Sequence, residues 1–379
     1  MYSDNILRAA ALAALASSTL ANPVRIPQAD VEIVPRGAPL ITDDVLLFDA
    51  PAFQSGNGSD LTASVRIFAH FRSIDTKAIT GPLTSGLEAL GIEIGNGANN
   101  LMERTKLFFT ISRKDISVDL NISGCNSINV GNTAKTGLLE QSRNIGNCGR
   151  SLTSRDITGS APGLFTRRAF NGTLFPSGPT GFGVISDIDD TIKISMVLDK
   201  KAALQKLLID DHKPVDGMPK LYTKMNTVLT NPAWFYVSGS PYQFYPSLRP
   251  FIFSNFPHGP MIMQNLTVTD VAGLVKMISD NDTVKNFKIE QIEKIYGFYP
   301  KKKFLTVGDS GQADPEVYGE IFRRHPQFIQ CIWIREVEGG NNTDARFAAA
   351  FKGVPQSQWK VFSDPSELMG LDVANGKCK

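Results

Sequence analysis

Two aspartates, Asp187 and Asp189, stand directly after an apolar run that contains Val184 and Ile185. A short run rich in β-branched residues indicates a buried parallel strand, and open α/β sheets bind ligands at the carboxyl ends of such strands. Carboxylates at positions i and i+2 share one face of a straight strand, so one can attack a substrate atom while the other handles a proton. The pair therefore predicts phosphoryl transfer. Acidic pairs before a threonine, here Thr191, also occur in ordinary turns and helix caps.

The aspartate pair needs a sheet to carry it, and the chain that follows has the pattern of one. Further buried-strand runs are separated by segments whose apolar residues recur at helical spacing. Such alternation predicts a parallel, right-handed doubly wound sheet. The predicted strands cover residues 234–238, 304–309 and 328–334, and the predicted helices cover 200–209 and 220–229, with a helix start at 216–219.

Polar groups follow two of these strands. Ser238 and Gly239 follow one, where a hydroxyl and backbone N–H groups can hold a phosphate, although an ordinary Ser/Gly turn has the same sequence. Asp309 ends another strand, and Asp314 follows it after a Gly-rich turn. Mg²⁺ requires hard oxygen ligands, so we predict that Asp309 binds it directly and that Asp314 orients a ligand or acts through water.

A lysine near the start of a predicted helix completes the set. Lys288 immediately precedes an apolar periodicity that begins at Ile289, whereas Lys285 lies one turn earlier. A lysine in this place neutralises a phosphate and the carboxylate that attacks it. Lys285 and Lys288 are both candidates for this role. For a single lysine, the alternative is an ordinary solvated surface residue.

Taken together, these motifs resemble those of the haloacid dehalogenase superfamily. The string from Val184 to Lys193 resembles its DxDxT signature, and in full it is similar to the fungal actin-patch phosphatidate phosphatase family. The similarity continues through residues 241–249 and covers about 181–363, and more loosely the β-rich half before it. The resemblance implies a haloacid-dehalogenase-like fold and a Mg²⁺-dependent phosphatidate phosphatase.

The resemblance also implies a role for each residue. Lys288 matches the family's lysine before an Ile/Leu-rich helix, so we favour it over Lys285 for phosphate binding and catalysis. Asp187 would form an aspartyl-phosphate, while Asp189 would protonate the leaving alkoxide and then deprotonate water. Mg²⁺ would bind Asp187, the backbone carbonyl of Asp189, and Asp309, and Thr191 would fix the loop. Because Asp189 must carry and lose a proton beside Asp187 and Asp190, we predict that its pKa lies above that of an isolated aspartate.

One departure from the family pattern concerns the substrate-facing loop. Where the resemblance leads us to expect a basic-acidic pair after residues 259–263, the chain has Gln264 and Asn265. The lack of an extended Pro-rich tract and the presence of a signal-like N-terminus argue against a cytoplasmic actin-patch role.

The N-terminal half predicts a different architecture. Residues 22–177 contain short β-type runs split by Gly, Asn and Pro, so we predict a β-rich, sandwich-like domain that ends at the Pro/Gly segment 175–181. The catalytic domain is then 178–379. His70 beside an apolar strand is interpreted as structural. The predicted strands cover 44–48, 63–71, 106–111 and 116–122, the predicted helix covers 83–90, and 126–160 is predicted to form loops only.

The N-terminus resembles a secretory signal. Arg8 precedes an Ala-rich run, and small residues up to Ala21 suit cleavage, so residues 1–21 are predicted to be removed and the protein secreted. An Ala-rich helix of a cytosolic protein is the alternative. No apolar run of about 18 residues occurs later, so we predict no transmembrane span. Six acceptor sequences for N-glycosylation are compatible with secretion: Asn57, Asn121, Asn171, Asn265, Asn281 and Asn341.

The cysteines fit an oxidising compartment. We pair Cys125 with Cys148, which share one Gly/Asn-rich region. Cys331 and Cys378 either form a second bridge or leave Cys331 as a buried thiol.

The charge balance of 39 basic and 37 acidic residues predicts no nucleic-acid partner. No protein partner can be inferred. Three functions are weighed: a lipid phosphate phosphatase with peripheral membrane contact, a secreted phosphomonoesterase for soluble substrates, and a non-catalytic binding module. Aromatic and apolar residues near the motifs, such as Tyr242 and Phe251, could cover acyl chains, but most of them suit a core equally well.

Overall fold

The computed structural model describes residues 42–54, 59–72, 77–148, 152–164, 169–266, 273, 275–276 and 280–379. The predicted signal peptide and the acceptor Asn57 lie outside these residues. The other five acceptor asparagines are exposed. In the described part of the chain, no helix combines the length and the apolar character that a membrane crossing needs.

The first sheet has nine strands and contains the β-rich half of the chain. Its hydrogen-bonded order is β1-β3-β2-β9-β8-β5-β6, and β7 and β4 pair with the other edge of β3. The pairs are antiparallel except β2 with β9. The strands are β1 Thr42–Leu47, β2 Ala50–Gln54, β3 Leu61–Arg72, β4 Ile111–Ser112, β5 Ser117–Ile122, β6 Ile128–Asn132, β7 Leu138–Gly146, β8 Arg155–Ser160 and β9 Phe170–Pro176.

The central strand β3 explains how this sheet encloses a core. Val65, Ile67 and Ala69 alternate along it and are fully buried, as expected when one face of a strand packs inward. The sheet curls until β6 reaches β7, where Arg143 donates a hydrogen bond to the Val130 carbonyl. The β-rich prediction is confirmed, but the strands form one continuous sheet rather than the two of a sandwich.

Two local predictions in this half are wrong. Residues 126–160 contain β6, β7 and β8, because alternate residues such as Val130, Ile145 and Ile157 fill the inner core while polar residues face outward. The predicted strand 106–111 is mainly a 3₁₀ turn, Lys106–Phe109. Its Phe108 packs edge-on against Phe244 of the C-terminal half, so tertiary packing overrides the strand pattern.

The second sheet is parallel throughout, as predicted. Its order is β12-β11-β10-β13-β14-β15, so the first strand in sequence, β10, lies in the middle between β11 and β13. Open sheets bind ligands where the strand order reverses in this way. The strands are β10 Phe182–Ser186, β11 Ala233–Pro241, β12 Met261–Gln264, β13 Lys303–Asp309, β14 Ile329–Arg335 and β15 Trp359–Phe362.

Helices cover both faces of this sheet. One face packs against α3, α4 and α5, and the other against α6, α7 and α8. Two earlier helices, α1 and α2, join the first of these cores through Leu87 and Leu101. The helices are α1 Lys77–Ala89, α2 Ala98–Thr105, α3 Lys200–Leu208, α4 Met218–Val228, α5 Tyr245–Asn255, α6 Asn281–Phe298, α7 Asp314–Arg324 and α8 Asp344–Ala350.

Polar contacts join the two sheets. Buried Asp49 accepts hydrogen bonds from Arg249 Nε and Nη2 at 2.7 and 3.1 Å, and Arg249 also reaches Thr173. Arg66 of β3 donates to the Met263 carbonyl of β12 at 2.7 Å. The β-rich half is therefore packed directly against the parallel sheet.

Both pairs of cysteines form disulfides. Cys125 is bonded to Cys148, as predicted, and Cys331 to Cys378. The second bridge decides between the two alternatives for Cys331 and ties the C-terminal end of the chain to β14.

Gly239 in β11 lies where helix α6 approaches the sheet closely. A Cβ at this position would come within 2.7 Å of the Val284 side chain. Gly297, in the last turn of the same helix, has no atom within 4 Å of its would-be Cβ. The two glycines allow the close approach to be tested against a matched control.

We predict that Gly239→Ala destabilises the protein by about 1–3 kcal/mol, because the extra methyl overpacks the contact between β11 and α6. Gly297→Ala should instead stabilise it by about 0.5–1 kcal/mol, because alanine favours the helix. Urea unfolding of both variants measures the difference. A Gly239→Ala protein as stable as the unmodified chain would contradict the packing described above.

Candidate active site

The predicted site residues gather at the carboxyl edge of the parallel sheet. Asp187 follows β10, and its N–H continues the ladder by bonding to the Val307 carbonyl of β13 at 2.9 Å. Asp309 is the last residue of β13. The two carboxylates therefore stand on adjacent strands, at the point where the strand order reverses.

Lys288 enters the site from the second turn of α6. Its Nζ donates to Asp187 Oδ1 at 2.7 Å and to Asp314 Oδ1 at 2.5 Å. All three side chains are at most 1% exposed. Lys288 rather than Lys285 thus reaches the carboxylates, because the apolar face that begins at Ile289 turns this side of the helix inward.

The Asp309 loop is held by its own backbone. Asp309 Oδ1 accepts hydrogen bonds from the N–H groups of Gly311 and Gln312 at 2.6 and 3.1 Å. Asp314 Oδ2 accepts from the Asp309 N–H at 3.1 Å. Gly308 permits this geometry, since a Cβ there would lie 2.5 Å from Asp314. Asp314 is therefore placed to orient Asp309 and Lys288 together.

The three carboxylates form a buried acidic cluster. Oxygens of Asp187, Asp309 and Asp314 lie within 4.8 Å of one another. Burial raises the pKa of Asp187 to about 7, against the opposing charge of Lys288. Burial, together with the charges of Asp314 and Asp187, raises the pKa of Asp309 well above its usual range. Both carboxylates are therefore costly to ionise with only the protein around them.

The charge balance of this cluster suits a divalent cation. One ammonium group faces three carboxylates, so ionisation of all three leaves two negative charges without compensation. Burial lowers the pKa of Lys288, but the charges of Asp187, Asp314 and Asp309 outweigh it and raise the pKa overall. Oxygen donors from two strands and a helix fit a hard metal ion.

Asp189 faces away from the acidic cluster. Its Oδ1 accepts from Lys193 Nζ at 2.8 Å and from Ser195 Oγ at 2.7 Å. Its Oδ2 accepts from Ser238 Oγ at 3.1 Å and from Ser240 Oγ at 2.9 Å. The two aspartates of the motif therefore have separate surroundings, although only one residue separates them.

The prediction of a raised pKa for Asp189 is wrong for this arrangement. Burial raises the pKa of the Asp189 carboxyl, but the charge of Lys193 and hydrogen bonds from Lys193, Ser195 and Ser240 outweigh it and lower the pKa below its usual range. Asp187 and Asp190 do not dominate this carboxyl, because a cation four residues later pairs with it directly.

Sequence reasoning missed Lys193, Ser195 and Ser240. Lys193 is 1% exposed, which is unusual for lysine unless it is paired. The available signal was the spacing: a lysine and a serine four and six residues after Asp189, in a segment with few other polar residues.

The predicted phosphate-binding loop has two functions in this geometry. Ser238 Oγ accepts from the Ser240 N–H at 3.0 Å and donates to Asp189, so its hydroxyl is engaged within the site. Gly239 allows the approach of Val284 described above. Gly239 and Ser240 also line an open cleft beside the site, together with Asp189, Lys193 and Gln312.

Thr191 and Asp190 fix the loop after β10. Thr191 Oγ1 donates to Asp187 Oδ2 at 2.9 Å and lies 3.5 Å from Asp309 Oδ2. Asp190 adopts a left-handed backbone conformation with φ of 57°. Its carboxylate accepts the backbone N–H groups of Ser195, Met196 and Val197. His70 lies in β3 of the first sheet and has no part in this site.

Comparisons with known proteins identify the region that contains this site. Residues 182–336 match the family described as "Phosphatidate phosphatase APP1, catalytic domain". Phosphatidate phosphatase APP1 of Saccharomyces cerevisiae is 36% identical over 160 residues, which are 41% of this chain and 26% of that protein. An uncharacterized protein of Schizosaccharomyces pombe is 26% identical over 161 residues, which are 41% of this chain and 25% of that protein. The chain thus spans about a quarter of the length of these relatives.

One solved structure overlaps with much of the chain at low similarity. The crystal structure of a Parabacteroides merdae β-glucuronidase covers 76% of this chain and 40% of that chain, with 9% identity and a TM-score of 0.23. This overlap is too poor to indicate a shared fold. The family match, in contrast, contains the acidic cluster, Lys288, and Asp189 with its partners. Residues 182–336 of this chain are therefore similar to the catalytic domain of the APP1 phosphatidate phosphatases.

Proposed function

We propose that this chain is a Mg²⁺-dependent phosphatidate phosphatase, which releases diacylglycerol and phosphate through an aspartyl-phosphate intermediate. One observation carries the proposal: Asp187 is fixed at both oxygens, by Lys288 and Thr191, beside two further buried carboxylates at the carboxyl edge of a parallel sheet. The substrate class comes from the family of the catalytic region. A haloacid-dehalogenase-like doubly wound fold is part of the proposal, supported by the central β10 and helices on both faces.

Asp187 is the nucleophile in this proposal. One of its carboxylate oxygens bonds to phosphorus while the bond from phosphorus to the glycerol oxygen breaks, and the bonding electrons leave with that oxygen. Lys288 stays within hydrogen-bond distance of Asp187 and offsets the repulsion between the carboxylate and the phosphate.

Asp189 moves the proton. It gives a proton to the leaving alkoxide and later takes one from the water that attacks the aspartyl-phosphate. Lys193 keeps Asp189 ionised in the free protein, as the lowered pKa indicates. A phosphate in the adjacent cleft adds negative charge near Asp189, which favours its protonated form.

Asp187, Asp309 and the backbone carbonyl of Asp189 would hold Mg²⁺, and Asp314 would orient Asp309 through the contact with its N–H. When bound, the ion offsets charge on the transferring oxygens. The buried, undercompensated carboxylates and their all-oxygen chemistry support this choice of residues.

Two alternatives remain distinct from this proposal. A secreted phosphomonoesterase would use the same residues on soluble substrates, and secretion itself is proposed only from the N-terminal sequence. A non-catalytic binding module has no use for three buried carboxylates, which are costly to keep together. The substrate assay below separates the first alternative, and the aspartate variants separate the second.

We predict that Asp187→Asn and Asp309→Asn each lower phosphatidate hydrolysis by about 10³-fold or more, because one removes the nucleophile and the other a metal ligand. Phosphate release is measured on phosphatidate in mixed micelles and on p-nitrophenyl phosphate, with Mg²⁺ and with EDTA. Full activity of Asp187→Asn would exclude the enzyme proposed here. Equal or faster turnover of the soluble ester by the unmodified protein would favour the phosphomonoesterase.

Lys288→Met should abolish activity and lower the free energy of unfolding by about 3–5 kcal/mol, because it leaves buried carboxylates without their cation. Lys285→Met, one turn earlier on α6, should change both quantities little. The measurements are phosphate release and urea unfolding of the two variants. A larger loss of activity in Lys285→Met would reverse the assignment of the lysine.

Asp189→Asn should lower turnover by about 10²–10⁴-fold, because the amide cannot transfer a proton. Its Mg²⁺ affinity should stay near that of the unmodified chain, since the Asp189 side chain points to Lys193 and the serines rather than to the acidic cluster. Isothermal titration calorimetry with Mg²⁺ measures the affinity. A collapse of Mg²⁺ binding would show that the side chain is a metal ligand.

A further inference from the structure

Three large apolar side chains are exposed side by side at the active site. Ile194, Met196 and Leu198 are 39%, 46% and 45% exposed. They are half of the six exposed large apolar residues in the described part of the chain, yet they occupy five consecutive positions. We call residues 194–198 the rim segment. Single exposed apolar residues need no explanation, but a cluster of them marks an interaction surface.

The backbone holds these side chains outward. Ser195, between two of them, turns inward and donates to Asp189. The Asp190 carboxylate accepts the N–H groups of Ser195, Met196 and Val197, which anchors the rim segment. Met196 has a φ of 56°, in the left-handed region that residues with a side chain rarely adopt. The exposure of the apolar residues is therefore built into the loop that follows the catalytic aspartates.

The rim segment also borders the cleft. Ser195 and Val197 line it, alongside Asp189 and Lys193. Leu198 lies over the loop that fixes Asp309: its Cγ is 3.6 Å from the position of a Cβ at Gly311. The surface of any partner that contacts these three exposed side chains therefore lies next to the entrance of the cleft.

Basic residues flank the rim segment. Lys200 and Lys201 follow it, and Lys213 adjoins it through the hydrogen bond from the Ile194 N–H to the Lys213 carbonyl. Four acidic residues are near, but three of their carboxylates already have partners: Asp199 caps α3, Asp210 accepts from Lys206, and Asp211 accepts from Asn100. The fourth is the exposed Glu338. Apolar side chains flanked by an excess of lysines complement the interface of an anionic bilayer.

We propose that the rim segment docks the entrance of the active site onto the surface of an anionic phospholipid bilayer, with Met196 and Leu198 inserted below the headgroups. The inference rests on the proposed function in one respect: a lipid substrate then reaches the cleft without leaving the membrane. The docking itself is a binding property and needs no turnover.

The test uses vesicles that contain no substrate. The unmodified protein, Met196→Asn/Leu198→Gln and the control Ile111→Ser/Leu152→Gln are sedimented with vesicles of phosphatidylcholine and phosphatidylserine. Ile111 and Leu152 are similarly exposed, at 55% and 46%, but lie in the β-rich half. We expect the rim variant to bind at least about tenfold more weakly and the control to bind as the unmodified protein does. All three should hydrolyse p-nitrophenyl phosphate equally.

Equal vesicle binding by the rim variant and the unmodified protein would overturn the proposal, as would an equal loss in the control. If the unmodified protein bound vesicles of phosphatidylcholine alone equally well, the proposed preference for anionic lipid would be overturned. A concentration-dependent dimer that the rim variant dissociates would assign the surface to a second copy of the chain instead. If no protein hydrolyses either ester while vesicle binding follows the expected pattern, the proposed function fails and the docking surface stands.

A second variant covers the case in which the double substitution impairs folding. Leu198→Trp replaces one exposed apolar side chain with another that favours membrane interfaces. Its fluorescence should shift to shorter wavelength when the same vesicles are added, and the shift should weaken at high salt because the lysines are screened. Emission that vesicles leave unchanged would overturn the proposal.

Discussion

Four ionisable side chains are buried together at the end of the parallel sheet: Asp187, Asp309 and Asp314 around Lys288. Removing one partner from such a group typically costs about 3–5 kcal/mol, because the remaining charges have no water to solvate them. The strands and helices that carry these four residues must therefore keep fixed positions relative to one another. Two of the carboxylates come from the β10–β13 edge, the lysine comes from α6, and each contact requires the strands and the helix to keep their spacing. Gly239 and Gly308 remove the side chains that would otherwise prevent it.

The same short loop gives its two aspartates opposite surroundings. Asp187 lies among carboxylates, where burial raises its pKa. Asp189 is buried too, but Lys193 and the hydroxyls of Ser195 and Ser240 lower its pKa. Asp190 separates them by taking a left-handed conformation and binding the amides that follow. Two residues of the same type thus acquire different electrostatic surroundings, which is the difference that the proposed division of roles between them requires.

The described residues of the β-rich half contact the elements that lie behind this site. Asp49 and Arg66 bind Arg249 and the end of β12, and helices α1 and α2 share a core with α3. These contacts support the elements behind the cleft. They leave its entrance, with the exposed rim segment, on the outer surface.

Strong periodicity along the chain is enough to predict the regular elements and the residues that end them. The parallel strands and the placement of Asp187, Asp309 and Asp314 at one edge follow from hydrophobic runs and helical spacing, which are local properties. The choice of Lys288 over Lys285 came from the family resemblance, and the pairing of Cys125 with Cys148 came from the region that they share. What each buried charge faces, in contrast, is a property of the folded chain. The pairing of Lys193 with Asp189, the strands in residues 126–160, and the turn at Lys106–Phe109 depend on contacts between distant segments. The pKa of a buried group depends on residues that are distant in sequence, and so does the formation of a strand without strong alternation. A local sequence pattern does not show these neighbours.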